Sequence, residues 1–324
     1  MASSGIGGQA VMEGVMMKNQ DTYAIAVRKP DQTIIVEKKE YKGIGPKVLQ
    51  KIPIVRGVIS FIDSLVLGMG SLTFSASFFE EEETEKAEAQ AEPANENGKA
   101  QAKGDPAKKE SLIMGLTMVL AVVLALAIFM ALPYGISLLF QQFIPWDTVV
   151  ILLEGVFRLG IFILYIVLIS RMEDIQRVFM YHGAEHKCIN CIEHGLDLNV
   201  ENVRASSKVH KRCGTSFLFF VVVVSIIATM FIRVDSRVLR LALRLLIIPL
   251  VAGLSYEFIR LAGRSENPIV NALSKPGLWL QALTTREPDD CMIEVGIASV
   301  EAVFDWEGYV AGLRGSQESP IEKS

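Results

Sequence analysis

Polar and apolar residues first form a recognisable pattern in two short runs near the N-terminus. Residues 22–27 (TYAIAV) and 33–37 (TIIVE) are rich in β-forming residues, and the intervening RKPDQ contains a Pro-Asp pair typical of turns. The pattern predicts a β-hairpin within a small N-terminal region, residues 1–51. The preceding GIGGQAVMEGVMMKN is studded with glycine, which indicates either a loop, the favoured interpretation, or a backbone that closely approaches another group.

Long apolar runs dominate the rest of the chain. Residues 112–132, 149–170, 215–232 and 238–256 each approach the roughly 20 residues that a membrane-spanning helix needs. The run 52–79 is also apolar, but Pro53, Arg56 and Asp63 interrupt it. We therefore predict a membrane α-helical fold with four transmembrane helices in residues 111–256, a small β-containing N-terminal region and a helical C-terminal region.

The distribution of lysine and arginine among the loops predicts the topology. The loop after the first predicted span has none, whereas the loop 171–214 has seven. The positive-inside rule places this loop and both termini in the cytoplasm. A spanning segment at 52–79 would invert every later loop, so we predict that this segment is an interfacial or re-entrant helix.

Composition and charge further limit the class of protein and its possible partners. A hydrophobic content of 51% with a mean hydropathy of +0.36 excludes an ordinary soluble protein. Residues 80–110 carry ten acidic and five basic residues without an aromatic one, so we predict a disordered linker there. Without the linker the net charge changes from -4 to about +1, because -4 minus -5 is +1, and nothing favours nucleic acid as a partner.

The C-terminal region, residues 257–324, is predicted to be cytoplasmic and to contain short helices separated by prolines. Trp279 with its apolar neighbours suits an interfacial helix. A last helix begins near Pro288, with acids in its first turn. It carries one apolar stripe that should pack onto the rest of the cytoplasmic part: Ile293, Ile297, Val300 and Phe304.

Candidate chemistry is concentrated in the loop 171–214. His182, Glu185 and His186 form the pattern H-x-x-E-H, in which two histidines on one helix face bind a metal and the glutamate acts as a base. His210 and Cys213 lie just before the third predicted span, and we expect a helix capped by Asn199 to carry His210 and end at Gly214. The set His182, His186, His210 and Cys213 suits zinc or another divalent metal.

Three further residues are weaker candidates for the metal site. A helix that continues past His186 turns Cys188 and Cys191 away from the histidine face, so either could bind only if the helix breaks near residues 187–191. Of these, Cys191 is kept as a candidate ligand, and Cys188 and His194 are less favoured. A disulfide is disfavoured because the cytoplasm keeps thiols reduced.

Two questions stay open at this point. A metal with four protein ligands would be a structural clamp, whereas one with three would leave a position for water that Glu185 could serve. Separately, Glu154 and Arg158 lie four residues apart inside the second span, and such charges should pair with each other or with Arg240 or Arg244. Their depth favours either a salt bridge or a role in transport.

Several motifs resemble the YqhQ-like family of bacterial membrane proteins over nearly the whole chain outside the linker. They are GGQAVMEGVMMKN, YHGAEHKCINC, NVENVR, HKRCGTSF and PGLWLQALTTREPDD. The family is usually described as predicted metal-dependent enzymes. The resemblance implies a multi-pass membrane protein with a metal site carried by His182, Glu185, His186, Cys191, His210 and Cys213. Cys188 and Lys211 depart from the residues usual in the family at these positions.

The leading hypothesis from the sequence is a metal-dependent hydrolase that acts at the cytoplasmic membrane face on a peptide or another membrane-proximal substrate. Glu185 is its catalytic candidate. A membrane assembly or binding factor with structural zinc, docking a protein partner, is the first alternative, and a transporter is the second. In each case the lipid bilayer is a partner.

Overall fold

The computed structural model describes residues 3–46, 48–90, 106–232, 234, 236–265 and 267–318. It is mostly helical, with one small antiparallel sheet near the N-terminus. The strands are β1 (Gly7–Val11), β2 (Gly14–Asn19), β3 (Thr22–Arg28) and β4 (Ile34–Glu40). The helices are α1 (Val55–Gln90), α2 (Pro106–Leu126), α3 (Leu132–Phe140), α4 (Asp147–Ile169), α5 (Glu173–Glu193), α6 (Val200–Ala205), α7 (Gly214–Met230), α8 (Arg237–Leu246), α9 (Ile248–Ala262), α10 (Pro268–Thr284), α11 (Asp290–Val303) and α12 (Trp306–Glu318).

The sheet has the strand order β1-β2-β3-β4, and all its pairs are antiparallel. The hairpin predicted from residues 22–37 is confirmed as β3 and β4. The favoured interpretation of GIGGQAVMEGVMMKN as a loop is wrong, because most of it forms the hairpin of β1 and β2. Gly14 is needed there, since a Cβ at this position would meet the carbonyl oxygen of Ala26 in the adjacent strand.

Both faces of the sheet are covered by helices. Successive residues of a strand point to opposite faces, so a strand whose consecutive residues are all buried must be covered on both sides. Helices α5 and α11 cover one face, whose buried side chains are Val15, Met17, Ala24 and Ala26. Leu67 and Phe74 of α1 cover the other face, whose buried side chains are Val11, Met16, Ile25 and Val27. The hydroxyl of Ser299 in α11 also donates to the carbonyl of Ala24 at 3.2 Å. Sheet, α5 and α11 thus share one core.

Four helical segments are long and apolar enough to cross a membrane: Val55–Phe79, Gly115–Phe140, Thr148–Ile169 and Val238–Ala262. The number of candidate spans therefore equals the four predicted from the sequence, but one of the four segments is a different one. The predicted span 215–232 is the shorter α7, of 17 residues, and the segment at 52–79 qualifies by length and composition in its place. Between α2 and α3 a π-helical turn, Ala127–Ala131, keeps the second segment continuous.

The charges inside the predicted spans pair as expected. Arg158 donates to Glu154 at 2.7 Å, and Arg244 donates to both carboxylate oxygens of Glu154 at 2.7 and 2.8 Å. Arg240 does not join them, because its guanidinium binds the carbonyl oxygen of Val234.

The predicted last helix is confirmed as α11. The carboxylate of Asp289 accepts from the amide of Met292 and caps the helix. Ile293 and Val300 of the predicted stripe are fully buried in the core shared with the sheet. The linker prediction is tested only in part: α1 continues to Gln90, and residues 91–105 lie outside the described residues.

Candidate metal centre

Three potential ligands converge where α5 passes the start of α7. One ligand atom each from His182, His186 and Cys213 lies within 4.8 Å of the other two. The two histidines are four residues apart on α5, so they lie on one face, with ring centroids 4.4 Å apart. Cys213 is the residue before α7, and its Sγ is 3.2 Å from Nε2 of His182. We call this group the His/His/Cys cluster.

Backbone carbonyl groups orient both imidazole rings of the cluster. Nδ1 of His182 lies 2.8 Å from the carbonyl oxygen of Thr284, and Nδ1 of His186 lies 2.7 Å from that of Lys208. A carbonyl only accepts, so both Nδ1 atoms carry a proton, and in the neutral form of each ring Nε2 has the lone pair that can bind a metal. This arrangement is the usual support for histidine ligands of a metal.

The donor set suits zinc. Two imidazole nitrogens and one thiolate sulfur are borderline and soft ligands, which zinc prefers to an all-oxygen site. Burial lowers the pKa of His186, although its hydrogen bond with Cys213 acts in the opposite direction, so the ring favours the neutral form that binds metals. Three protein ligands would leave the fourth tetrahedral position open, as in catalytic zinc sites.

Glu185 immediately precedes His186 on α5, and its side chain packs against Gly8 of β1. Its side chain is only 5% exposed. Burial raises the pKa of its carboxyl group to about 7, against the smaller opposite effects of His182 and of a hydrogen bond from the Gly8 amide. A Cβ on Gly8 would lie 2.9 Å from Cγ of Glu185, so the glycine allows the strand backbone to approach the carboxylate. The second interpretation of this glycine-rich stretch, a backbone that closely approaches another group, is therefore correct at Gly8.

His210 lies next to the His/His/Cys cluster but outside it. The expected helix carrying it is wrong: Asn199 does cap α6, but α6 ends at Ala205, and Gly214 begins α7 rather than ending a helix. Nε2 of His210 instead faces the carboxylate of Glu193 at 3.6 Å, and its ring centroid is 5.7 Å from that of His186.

Cys191 and Cys188 also lie away from the cluster. Helix α5 continues without a break to Glu193, so both thiols point into the hydrophobic core, as the helix geometry required. Sγ of Cys191 lies 3.4 Å from the carbonyl oxygen of Asp197. Burial raises the pKa of the Cys191 thiol to about 11 and raises that of Cys188 as well, so both stay protonated. His194 hydrogen-bonds to the Asn190 carbonyl at the end of the helix.

Comparisons with known proteins assign the family. The family model described as "Protein of unknown function (DUF1385)" matches residues 52–306. The chain is also 35% identical over 304 residues to "Uncharacterized protein YqhQ" of Bacillus subtilis (strain 168), covering 93% of this chain and 92% of that protein. The chain belongs to the DUF1385 family.

The DUF1385 match confirms the resemblance in the sequence, but the metal-dependent enzyme in the family's usual description stays a proposal. The matched range includes all three residues of the His/His/Cys cluster. No solved structure matches this chain significantly. The chemistry of this DUF1385 member must therefore be argued from its own geometry.

Sequence reasoning missed the residues that position the cluster of this DUF1385 chain. Gln281 is fully buried: its Oε1 accepts from the His210 amide at 2.9 Å, and its Nε2 donates to the His210 carbonyl at 2.8 Å. It lies in the motif PGLWLQALTTREPDD, which also contains Thr284. A glutamine in an apolar helix was the available signal, because a buried amide needs partners.

We expect the substitution Gly183→Ala to destabilise the protein by about 1–3 kcal/mol, the usual cost of overpacking. A Cβ at Gly183 would collide with the carbonyl oxygen of Arg286, just beyond the Thr284 carbonyl that orients His182. Thermal unfolding of the detergent-solubilised protein measures the effect. Gly160→Ala in α4 is the control, because no atom lies within 4 Å of its added Cβ. Equal melting temperatures for both variants would contradict this prediction.

Proposed function

We propose that this protein is a membrane-bound, metal-dependent hydrolase whose site is the His/His/Cys cluster. The observation that carries the proposal is the convergence of three ligands, two of them on α5, where the buried Glu185 immediately precedes His186 in the sequence. His182, His186 and Cys213 would hold the ion. When bound, a divalent ion polarises a substrate carbonyl or phosphoryl group and makes water more acidic.

The role of Glu185 in this proposal is to accept a proton from water and return it to the leaving group. A general base works best when its pKa is near the operating pH, and burial places the pKa of this carboxyl group at about 7. Its hydrogen bond from Gly8 fixes the carboxylate relative to the strand β1. The chain thereby provides both ligands and a base in the order of the H-x-x-E-H pattern.

We further infer that the site lies on the cytoplasmic side of a four-span protein. The sheet, α5 and α11 share one core, so they must lie on one side of the membrane. An even number of spans must then lie between the sheet and α5, and again between α5 and α11. Leu67 and Phe74 hold α1 against the sheet, which leaves Gly115–Phe140 and Thr148–Ile169 as the first pair. The charged loop 171–214 supports the cytoplasm as that side.

The same parity applies between α5 and α11. Helix α7 and the segment Val238–Ala262 make an even pair, and α7 at 17 residues spans about 26 Å, close to the roughly 30 Å of a hydrocarbon core. Helix α10 is then interfacial, which agrees with a Trp279 side chain that is 62% exposed. The cluster lies at the cytoplasmic ends of these spans, where it would meet membrane-proximal substrates.

The substitution Glu185→Gln tests catalysis directly. The amide keeps the shape of the side chain and can still accept from Gly8, so we expect bound zinc and protein abundance to be unchanged. Loss of a general base typically lowers a rate by about 10²–10⁴-fold, so the variant should fail to complement the phenotype of a deletion strain. Glu301→Gln, at an exposed position of α11, is the matched control and should complement fully. Full complementation by Glu185→Gln with zinc bound would refute the catalytic role.

A structural metal clamp is the second candidate, and one observation favours it. The cluster joins α5 to Cys213, the residue before α7, so an ion there would fix the cytoplasmic core to the membrane helices. In this case Glu185→Gln complements, whereas losing any ligand lowers abundance. The protein would then serve as an assembly or binding factor.

A further inference from the structure

A second polar group lies on helices α3, α4 and α8, none of which carries a residue of the His/His/Cys cluster. Glu154 accepts from Arg158 at 2.7 Å and from both terminal nitrogens of Arg244 at 2.7 and 2.8 Å. The guanidinium of Arg244 lies 4.6 Å from the ring centroid of Tyr134. Arg158 also donates to the hydroxyl of Ser225 at 3.0 Å. We call Tyr134, Glu154, Arg158 and Arg244 the arginine cluster.

The arginine cluster is not neutral. Among the side chains that the structure describes there, two guanidinium groups share one carboxylate, which leaves one positive charge in excess. Glu154, Arg158 and Arg244 are 3%, 4% and 3% exposed, so water does not compensate for this charge. An uncompensated ion at this burial costs several kcal/mol, and such groups inside a membrane protein usually serve a ligand or a pathway.

The arginine cluster also has unused hydrogen-bond donors. Nε of Arg158, Nε of Arg244 and the hydroxyl of Tyr134 are buried without a hydrogen-bond partner in the described part of the chain. Tyr134 is 9% exposed. Buried polar groups are normally paired, so three unpaired groups around one excess charge indicate a missing acceptor. An acceptor that satisfies N–H and O–H donors and cancels a positive charge is an oxyanion.

The members of the arginine cluster lie at one depth in three helical segments. Tyr134 is about 9 Å along its helix from Phe140, Glu154 about 9 Å from Thr148, and Arg244 about 9 Å from Val238, at 1.5 Å per residue. In the four-span topology proposed above, on which this placement rests, these three ends lie at the membrane face opposite the loop 171–214. The arginine cluster and the proposed metal site therefore lie toward opposite faces of the membrane. The two sites can be tested separately.

We propose that the arginine cluster binds an oxyanion, the carboxylate or phosphate group of a solute or of a lipid headgroup. The Nε–H groups of Arg158 and Arg244 and the hydroxyl of Tyr134 donate to it, while Glu154 holds the two guanidinium groups in place. Arginine suits this role because its planar fork matches carboxylate and phosphate oxygens. The anion brings the described cluster to neutrality.

Thermal unfolding of the purified full-length protein in phosphatidylcholine nanodiscs tests the proposal. Inorganic phosphate and acetate are titrated at constant ionic strength, with chloride as the comparison anion. A ligand that binds only the folded protein raises the melting temperature in proportion to the logarithm of its concentration. We expect phosphate or acetate to raise it and chloride to have little effect. A parallel series in phosphatidylglycerol nanodiscs without added anion distinguishes a lipid headgroup from a free solute.

Two conservative variants connect the effect to the arginine cluster. Tyr134→Phe removes the unpaired hydroxyl and should weaken the apparent affinity about tenfold. If the hydroxyl has no ligand, this variant should instead melt at the same or a higher temperature with an unchanged response to anions. Glu154→Gln raises the excess charge and should strengthen the response to anions about tenfold, even if its starting melting temperature is lower.

The control variant is Arg240→Gln, whose guanidinium binds the Val234 carbonyl rather than the cluster. Its response to anions should equal that of the wild type. Opposite shifts for Tyr134→Phe and Glu154→Gln, in either the solute or the lipid series, support the proposal. It is overturned if chloride acts as well as phosphate and acetate, or if neither series depends on Tyr134 and Glu154. The bound zinc of these variants stays unchanged in every case.

Discussion

Under the proposed zinc site, purified Cys213→Ser protein is expected to contain less than about a tenth of the zinc that the wild-type protein would hold. The serine hydroxyl can still cap α7, as Sγ of Cys213 does now by accepting from the Thr215 amide at 3.4 Å. Its oxygen is, however, a much poorer zinc ligand than a thiolate. With only His182 and His186 left, the affinity should fall at least about 100-fold, more than the usual 10–100-fold for a supporting residue. Elemental analysis with a protein assay measures the ratio.

Two cysteines outside the cluster provide controls for this result. Cys191→Ala should keep its zinc, because Cys191 lies in the hydrophobic core near the Asp197 carbonyl. Cys291→Ser should also keep it, since Cys291 is exposed at the start of α11. Zinc lost from Cys191→Ala but retained by Cys213→Ser would show that the wrong thiol has been assigned to the cluster.

The second large effect is expected from Glu154→Leu, which should lower the stability of the membrane helices by about 3–5 kcal/mol. The substitution leaves Arg158 and Arg244 buried, at 4% and 3% exposure, with no carboxylate between them. Their mutual repulsion then adds to the cost of their desolvation. Unfolding in mixed micelles with increasing denaturing detergent measures the loss of stability.

An exposed ion pair provides the comparison for this experiment. Arg204 and Asp290 form an ion pair at 2.5 Å, with side chains that are 56% and 53% exposed. Removing this pair with Arg204→Ala should change the stability very little, because water and salt screen it. If Glu154→Leu costs as little as Arg204→Ala, the buried charges are compensated by groups other than Glu154.

The parts of the cluster that were predictable from the sequence are those with local causes. Residues four apart on a helix share a face, so the sequence alone predicted that His182 and His186 lie side by side. Cys213 could be added because it precedes an apolar helix that starts at the same side as α5 ends. The pairing of Glu154 with Arg158 and Arg244 followed from the cost of a lone charge among apolar helices.

The parts that could not be predicted depend on contacts between distant segments. Helix α6 stops before His210 because Lys187 and Asn190 of α5 donate to carbonyl groups of the following loop, at 2.6 to 3.0 Å. Glu185 packs against Gly8, which lies near the N-terminus and far from it in the sequence. Nothing in the local pattern around either residue specifies such a partner.

The shared core of the sheet, α5 and α11 has a consequence for how the chain is made. The Asn19 side chain donates to the carbonyl of Val303 at 3.1 Å, across 284 positions of sequence. The ribosome completes the two hairpins early, but the face that α5 and α11 cover together is fully covered only after α11 has been synthesised. In the proposed four-span topology, the membrane helices are therefore synthesised before this core is complete, and a chain that fails at that stage leaves part of the apolar face exposed.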